Sequence, residues 1–269
     1  RGAGRCPGPH FGGVIMSTTS QPRAPIGFRQ ALQQLSSAQK PPAKGSPAYS
    51  RFVNRRIGRV LAAAAVPMGL TPNQVTGISA GFSATAIALI ALVRPGVGTG
   101  LAVAGLLVLG YAFDSADGQL ARFRGGGSPA GEWLDHVVDS VKVSALHLAV
   151  LIAWFRHFGL PDGALLVPIG FTLVSAVLFF VQILTDQLRR AHPVDAPGRA
   201  DSSPRAVLRS VVVVPTDYGL LCLSFGLLGY QPGFVVVYSL MFAASSAFLL
   251  AALPKWFREV GRYGSGEAR

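Results

Sequence analysis

The chain has 269 residues, of which 50% are hydrophobic and 13% charged, and its 24 Lys and Arg outnumber its 12 Asp and Glu for a formal net charge of +12. A soluble domain carries about a quarter charged residues, so this composition points to lipid, and the placement of the cations must be read before nucleic acid is named as a partner. Cys6 lies in a tail and Cys222 in an apolar run, so neither a disulfide framework nor a thiolate metal site is indicated.

In chain order, residues 1–46 are rich in Gly, Pro, Ser, Gln and basic side chains without a sustained apolar period, and read as a disordered cytoplasmic tail. The stretch ahead of Met16 has no apolar core of signal-peptide length, so Met16 is the expected natural start. Over 47–70, Phe52, Ile57, Val60 and Leu61 alternate with Asn54, Arg55, Arg56 and Arg59, the pattern of a juxtamembrane amphipathic helix. Thr71-Pro72-Asn73-Gln74 then predicts a sharp helix start, with Thr71 as cap, Pro72 at the first helical position and Gln74 closing a capping box.

Apolar runs follow at 74–93, 98–122, 131–158, 163–188, 211–229 and 233–253, each near the roughly 20 residues that cross a bilayer. They are apolar nearly all round, whereas helices of a soluble bundle need a polar face. The fold class is therefore an all-α integral membrane protein, with six transmembrane helices over 71–254 preceded by the amphipathic interfacial helix and followed by a cytoplasmic tail, 255–269. No solenoid period is present. The loop 191–210, with Pro193, Pro197 and Pro204, is the longest connection, and the other links are short enough to make neighbouring helices antiparallel.

With the amino terminus inside, cytoplasmic segments collect Arg55, Arg56, Arg59, Arg122, Arg124, Arg189, Arg190, Arg199, Arg205 and Arg209, while the outer loops carry Arg94 and Arg156. The cations thus follow the membrane, and both termini are expected in the cytoplasm of a multi-pass protein of the cell membrane. Such an inner face attracts anionic lipid and phosphorylated substrates, and no nucleic-acid recognition element accompanies it.

The second and third runs carry Asp114, Asp117, Asp135 and Asp139. At about 100° per residue, Asp114, Asp117, Gly118, Ala121 and Arg122 share one helical stripe, and Gly131, Asp135, Asp139 and Lys142 share another. A carboxylate at mid-membrane costs about 2.5–3.5 kcal/mol, so two facing pairs must either protonate or bind cations. Hard divalent ions such as Mg²⁺ or Mn²⁺ prefer oxygen ligands, and two such ions neutralise a pyrophosphate and favour a phosphate leaving group. Gly118 and Ala121 let a bulky ligand approach the backbone or else serve tight helix packing, and Arg122 can pair with phosphate. Gly125-Gly126-Gly127-Ser128 makes the hairpin between the two runs.

The pattern Asp114-x2-Asp117-Gly118-x2-Ala121-Arg122-x8-Gly131-x3-Asp135-x3-Asp139 matches at every position the signature of the class I CDP-alcohol phosphotransferases, or CDP-alcohol phosphatidyltransferases, and the chain resembles that family over approximately 47–253. The resemblance implies that an acceptor hydroxyl attacks the β-phosphorus of a CDP-linked alcohol, usually CDP-diacylglycerol, with release of CMP in phospholipid biosynthesis. It implies metal ligation by Asp114, Asp117, Asp135 and Asp139, with Asp139 also the general base. Asp114, Gly118, Ala121, Arg122 and Gly131 would border the CDP moiety, and the family is commonly homodimeric.

The acceptor is less defined. Polar stripes run along Asn73, Thr76, Ser79 and Ser83 in the first run and along Ser175, Gln182, Asp186 and Arg189 in the fourth, and small hydroxyls there more often bond to neighbouring helices than to ligands. Gln182, Asp186 and Arg189 are candidate acceptor contacts, Arg190 stands with them at the cytoplasmic end where a phosphorylated or polyol acceptor could enter, and mutual surface ion pairing is the alternative for Asp186, Arg189 and Arg190. Lys142, one turn beyond Asp139, balances the carboxylates or meets a substrate phosphate, and Pro215-Thr216-Asp217 is a further candidate. Family members that make phosphatidylinositol phosphate carry a Lys-Ala-Arg-Ala-like run at the end of the fourth span and a Glu-Arg-Pro-Glu-Arg-like run after it. This chain has Thr185-Asp186-Gln187-Leu188-Arg189-Arg190 and Ser203-Pro204-Arg205 there, which speaks against an inositol phosphate acceptor and leaves the small hydroxyl compound open. Two rivals to this reading are a membrane prenyltransferase using metal-bound pyrophosphate, whose Asp-rich motifs lie on well-separated helices, and a cation transporter, which leaves Gly118, Ala121, Arg122 and Gly131 unexplained.

Overall fold

Thr71 opens the first long helix as its sequence demands: its hydroxyl accepts from Gln74 N at 3.3 Å, and Gln74 Oε1 accepts from Thr71 N at 2.8 Å. The structure, a computed structural model, describes residues 26–37, 48–192 and 217–263. Its helices are α1 (Phe28–Ser37), α2 (Arg55–Ala65), α3 (Pro72–Leu92), α4 (Val97–Phe123), α5 (Pro129–His157), α6 (Leu166–Ala191), α7 (Tyr218–Ser224) and α8 (Gln231–Val260). A wider turn, Ser50–Asn54, leads into α2, and tighter turns at Asp162–Leu165 and Phe225–Leu227 precede α6 and follow α7.

Among the described residues there is no strand, and five helices are long and apolar enough to cross a membrane: Pro72–Leu92, Val97–Phe123, Pro129–His157, Asp162–Ala191 and Gln231–Val260. The described residues are all-helical in architecture, and the chain is a multi-pass membrane protein. Of the run at 211–229, the described part is the short apolar helix Tyr218–Leu227, and residues 211–216 lie outside the described residues. Cys6, Met16, Pro215, Thr216 and nearly all of the loop 191–210 also lie outside them.

The tail reading of 1–46 needs one amendment, since Phe28–Ser37 is helical. Ala31 and Leu35, one turn apart, are buried in a cluster with Ala62 and Ala63 of α2 and Leu120 of α4. A stripe this short disappears in a composition average over 46 residues. At the other end α8 continues through Pro254 to Val260, past the predicted boundary at 254.

Helix α2 turns its small face inward. Gly58, Ala62, Ala63 and Ala65 are buried, and a Cβ on Gly58 would stand 2.7 Å from Ser115 Oγ, so α2 lies almost against the α4 backbone. Asn54 is buried as well and donates to Tyr111 O at 3.1 Å, while Phe52, Ile57 and Val60 face outward. Helices α3 and α4 are equally close, because Gly110 leaves room for Ser83 and Ser79 Oγ donates to Gly110 O at 2.8 Å. Away from the aspartates, Trp154, Tyr238, Phe225, Phe234 and Phe171 form an aromatic core shared by α5, α6, α8 and the turn after α7. Large apolar side chains such as Leu101, Val141, Phe155, Leu173, Phe180 and Leu250 are exposed around the bundle, as a surface facing acyl chains requires.

Candidate active site

The α4–α5 hairpin is built from local signals. Gly125 and Gly126 take φ of +98° and +125°, a region open to glycine, and Gly126 N donates back to Ala121 O at 3.0 Å. Ser128 then caps α5 by accepting from Gly131 N at 3.0 Å, and Pro129 fills the first helical position. The returning α5 brings its carboxylates against those of α4.

One carboxylate oxygen from each of Asp114, Asp135 and Asp139 lies within 4.8 Å of the others. Lys142 Nζ sits 2.6 Å from both Asp114 Oδ1 and Asp139 Oδ1, so it ties the two helices together through charge. Asp117 stands outside this trio. Its Oδ2 accepts from Thr76 Oγ1 at 2.6 Å, which fixes its carboxylate with a hydroxyl from α3. Asp135 Oδ1 is buried without a hydrogen-bond partner. A donor set made of carboxylate oxygen, one of them buried and unsatisfied, fits a hard divalent cation.

Asp117, Gly118, Ala121, Arg122, Gly131 and Asp135 line one cavity of about 560 Å³, together with Thr71, Asn73, Thr76, Arg124, Glu132 and Arg190. The residues that the sequence assigns to the donor side thus share one wall, except Asp114, which sits in the trio behind it. Gly118 keeps that wall low, since an added Cβ would meet only Arg122 Nη1, at 3.5 Å. At Gly131 a Cβ would stand 3.0 Å from Asn73 Oδ1 and 3.2 Å from Ser128 Oγ, so glycine is what lets α5 start beside α3.

The acceptor candidates divide. Lys142 is buried inside the carboxylate cluster. Gln182 lines a second cavity, of about 160 Å³, with His147, Ser175, Asp217, Tyr218 and Ser245. Arg189 donates to Asp186 Oδ1 at 2.7 Å and to Glu259 through two nitrogens, at 2.7 and 3.0 Å, so the mutual pairing considered for Asp186 and Arg189 is present and extends to α8. Ser175 bonds across to His147 at 2.9 Å, as expected of a small hydroxyl in a membrane helix. Asp217 is the cap of α7, accepting from Gly219 N at 2.9 Å and Tyr49 N at 2.8 Å. Sequence reasoning set Arg190 at the acceptor's entry but missed Glu132 as a cavity wall and the pairing of the two, whose separation by 58 residues left no local signal.

A family model described as CDP-alcohol phosphatidyltransferase matches residues 69–253. Phosphatidylinositol phosphate synthase of Mycobacterium marinum is 34% identical over 131 residues, 49% of this chain and 53% of that protein. The protein of the same name from Corynebacterium glutamicum is 30% identical over 117 residues, 44% of this chain and 52% of that one. The chain thus spans about half the length of the curated relatives it matches. Among solved structures, phosphatidylinositol phosphate synthase of Mycobacterium tuberculosis with CDP-DAG bound aligns at a TM-score of 0.48 and 21% identity, over 76% of this chain and 94% of that one. The same protein in complex with manganese and citrate aligns at 0.48 and 21%, over 76% and 89%. Since the family match runs through both carboxylate pairs and the cavity beside them, the chain belongs to the CDP-alcohol phosphatidyltransferase family.

Proposed function

We propose that this protein transfers a phosphatidyl group from CDP-diacylglycerol to the hydroxyl of a small acceptor, releasing CMP, as a step of phospholipid biosynthesis. The observation that carries the reading is the trio of carboxylates within 4.8 Å beside a cavity walled by Gly118, Ala121, Arg122 and Gly131. Family membership favours this chemistry over prenyl transfer and over cation transport.

Asp114, Asp117, Asp135 and Asp139 would hold two divalent cations, Mg²⁺ or Mn²⁺, whose charge neutralises the donor diphosphate and eases departure of CMP. Arg122 faces the cavity as a phosphate partner, and the low walls at Gly118, Ala121 and Gly131 admit the cytidine and its phosphates. Asp139 is the general base: its carboxylate takes the acceptor hydroxyl proton as that oxygen bonds to the β-phosphorus, and the bond from the β-phosphorus to CMP breaks. Lys142, bonded to Asp114 and Asp139, keeps the two carboxylates together while the proton moves. Gln182, on the wall of the 160 Å³ cavity, is a contact for the acceptor, whereas Asp186 and Arg189 pair with each other outside that lining.

The same reading makes 211–229 the remaining span of a six-span bundle, with Ser50–Ala65 lying in the membrane interface, its Phe52, Ile57 and Val60 toward lipid. It sets both termini and the cavity on the cytoplasmic side of the cell membrane and pairs two copies as a homodimer. The acceptor is a small hydroxyl compound. The curated relatives are phosphatidylinositol phosphate synthases, but the run Thr185-Asp186-Gln187-Leu188-Arg189-Arg190 keeps glycerol phosphate, serine and unphosphorylated polyols on the panel beside inositol phosphate.

The test is to incubate purified protein with CDP-diacylglycerol, Mg²⁺ or Mn²⁺ and each acceptor in turn, following CMP. One acceptor should give metal-dependent CMP release abolished by a chelator. Absence of acceptor-dependent CMP across the panel would sink the proposal.

A further inference from the structure

Arg190 near the end of α6 and Glu132 in the first turn of α5 face each other, and both line the 560 Å³ cavity. Their ion pair bridges α5 and α6 on the wall of that cavity. The neighbouring arginine is bonded very differently. Arg189 spends Nε and Nη2 on Glu259 and Nη1 on Asp186, so its fork is filled. Arg190 reaches Glu132 through Nη1, and its side chain stays 63% exposed. The carboxylate it holds is shared, because Glu132 Oε1 also accepts from Gln187 Nε2 at 3.3 Å and lies 3.8 Å from His136 Nε2.

An ion pair this exposed contributes little net stability, since water screens it and both side chains give up freedom to make it. A guanidinium on a phosphate gains two parallel charge-assisted bonds instead. Of the other arginines on the cavity wall, Arg124 already donates to Leu70 O at 2.6 Å. Arg122, on the same wall, is already assigned to the donor phosphate, and Arg190 is a second wall cation that can change partner at little cost.

We propose that Arg190 is a donor-recognition residue, parked on Glu132 in the free protein and exchanging that carboxylate for the diphosphate of the incoming nucleotide-linked donor. The inference rests on the donor reading above and adds to it a contact from α6, outside the aspartate signature. Glu132 is then a competitor for the arginine, and removing either member of the pair has opposite consequences.

The test is calorimetric titration of the purified full chain with CDP in the presence of Mg²⁺, and with cytidine as a probe lacking phosphate. Arg190→Ala is expected to weaken CDP about tenfold, the loss of a charge-assisted contact, and to leave cytidine unchanged. Glu132→Gln is expected to tighten CDP by about twofold to threefold, because the parked arginine is freed. Both side chains are substantially exposed, 63% and 42%, and unchanged melting curves would verify that the variants fold. A tie that merely braces α5 against α6 would shift both variants in the same direction. That result, or CDP affinity unchanged in Arg190→Ala, overturns the inference and leaves the donor reading standing. A wild-type protein that fails to bind CDP sinks the donor reading and this inference with it.

Discussion

Helix α5 carries two polar clusters little more than a helical turn apart, one half-buried and one buried, and they are built on opposite principles. Around Lys142 the like charges of Asp114, Asp135 and Asp139 are gathered, and Asp135 Oδ1 is left buried without a partner. At His147 each ring nitrogen has a partner: Nδ1 and Tyr238 Oη are 2.6 Å apart, and Nε2 meets Ser175 Oγ at 2.9 Å. The imidazole also stacks on Phe171 with ring centres 4.0 Å apart. A polar group whose partners are all supplied by the fold has nothing left to offer a ligand, so His147 holds α5, α6 and α8 together. An incompletely satisfied cluster beside an open cavity keeps its bonding capacity for something that arrives later.

The contrast breaks if both clusters respond alike to mutation. The largest effect is expected at Asp139. Asp139→Asn keeps the side-chain shape and removes the proposed base, so turnover should fall about 10³-fold while binding of CDP-diacylglycerol stays measurable. Wild-type CMP release by that variant would remove Asp139 as the proton acceptor. His147→Ala should act on folding instead. It strands Tyr238 Oη in a buried site and opens a cavity against Phe171, a loss of about 3 kcal/mol that a melting curve in detergent would register. Turnover per folded molecule should stay within about twofold, and a collapse there with an unchanged melt would place His147 in the catalytic machinery.

A smaller effect is expected at Gly131, on the wall that joins the site to the fold. Its missing Cβ gives α5 its close start beside Asn73 and Ser128. Gly131→Ala forces those side chains to give by a few tenths of an ångström, so KM for the donor should rise about threefold to tenfold with kcat largely kept. A matching fall in kcat would show that the wall also sets the carboxylate geometry.

The wall proposed for the donor was legible in the sequence because it lies in one helical hairpin. Helical period alone put Asp114, Asp117, Gly118, Ala121 and Arg122 on one stripe and Gly131, Asp135 and Asp139 on the facing one. Thr71 and Gln74 announced the start of α3 through their own backbone chemistry. Periodicity cannot say which carboxylates converge, and here Asp117 is held aside by Thr76, 41 residues earlier. Nor can it show that Glu132 meets Arg190, or that Asp217 closes a bond to the Tyr49 backbone 168 residues away. Helix α1 escaped because one buried turn, Ala31 to Leu35, is too short to register against a polar tail.

The smallest effect should fall on Arg189, which tests whether satisfied and unsatisfied groups differ at the protein's edge as they do inside α5. Its guanidinium bonds to Glu259 and Asp186, and all three side chains are partly or largely exposed, so water competes for every contact. Arg189→Ala should therefore cost less than about 1 kcal/mol. With its fork already filled, the side chain has little left for a ligand, and KM for the acceptor should move by less than about twofold. Asp186→Asn, which loosens Arg189 without deleting it, serves as the companion. If Arg189→Ala raises the acceptor KM about tenfold while Asp186→Asn lowers it, the bond to Asp186 is a parking place like that of Arg190 on Glu132, and α6 offers two exchangeable arginines rather than one.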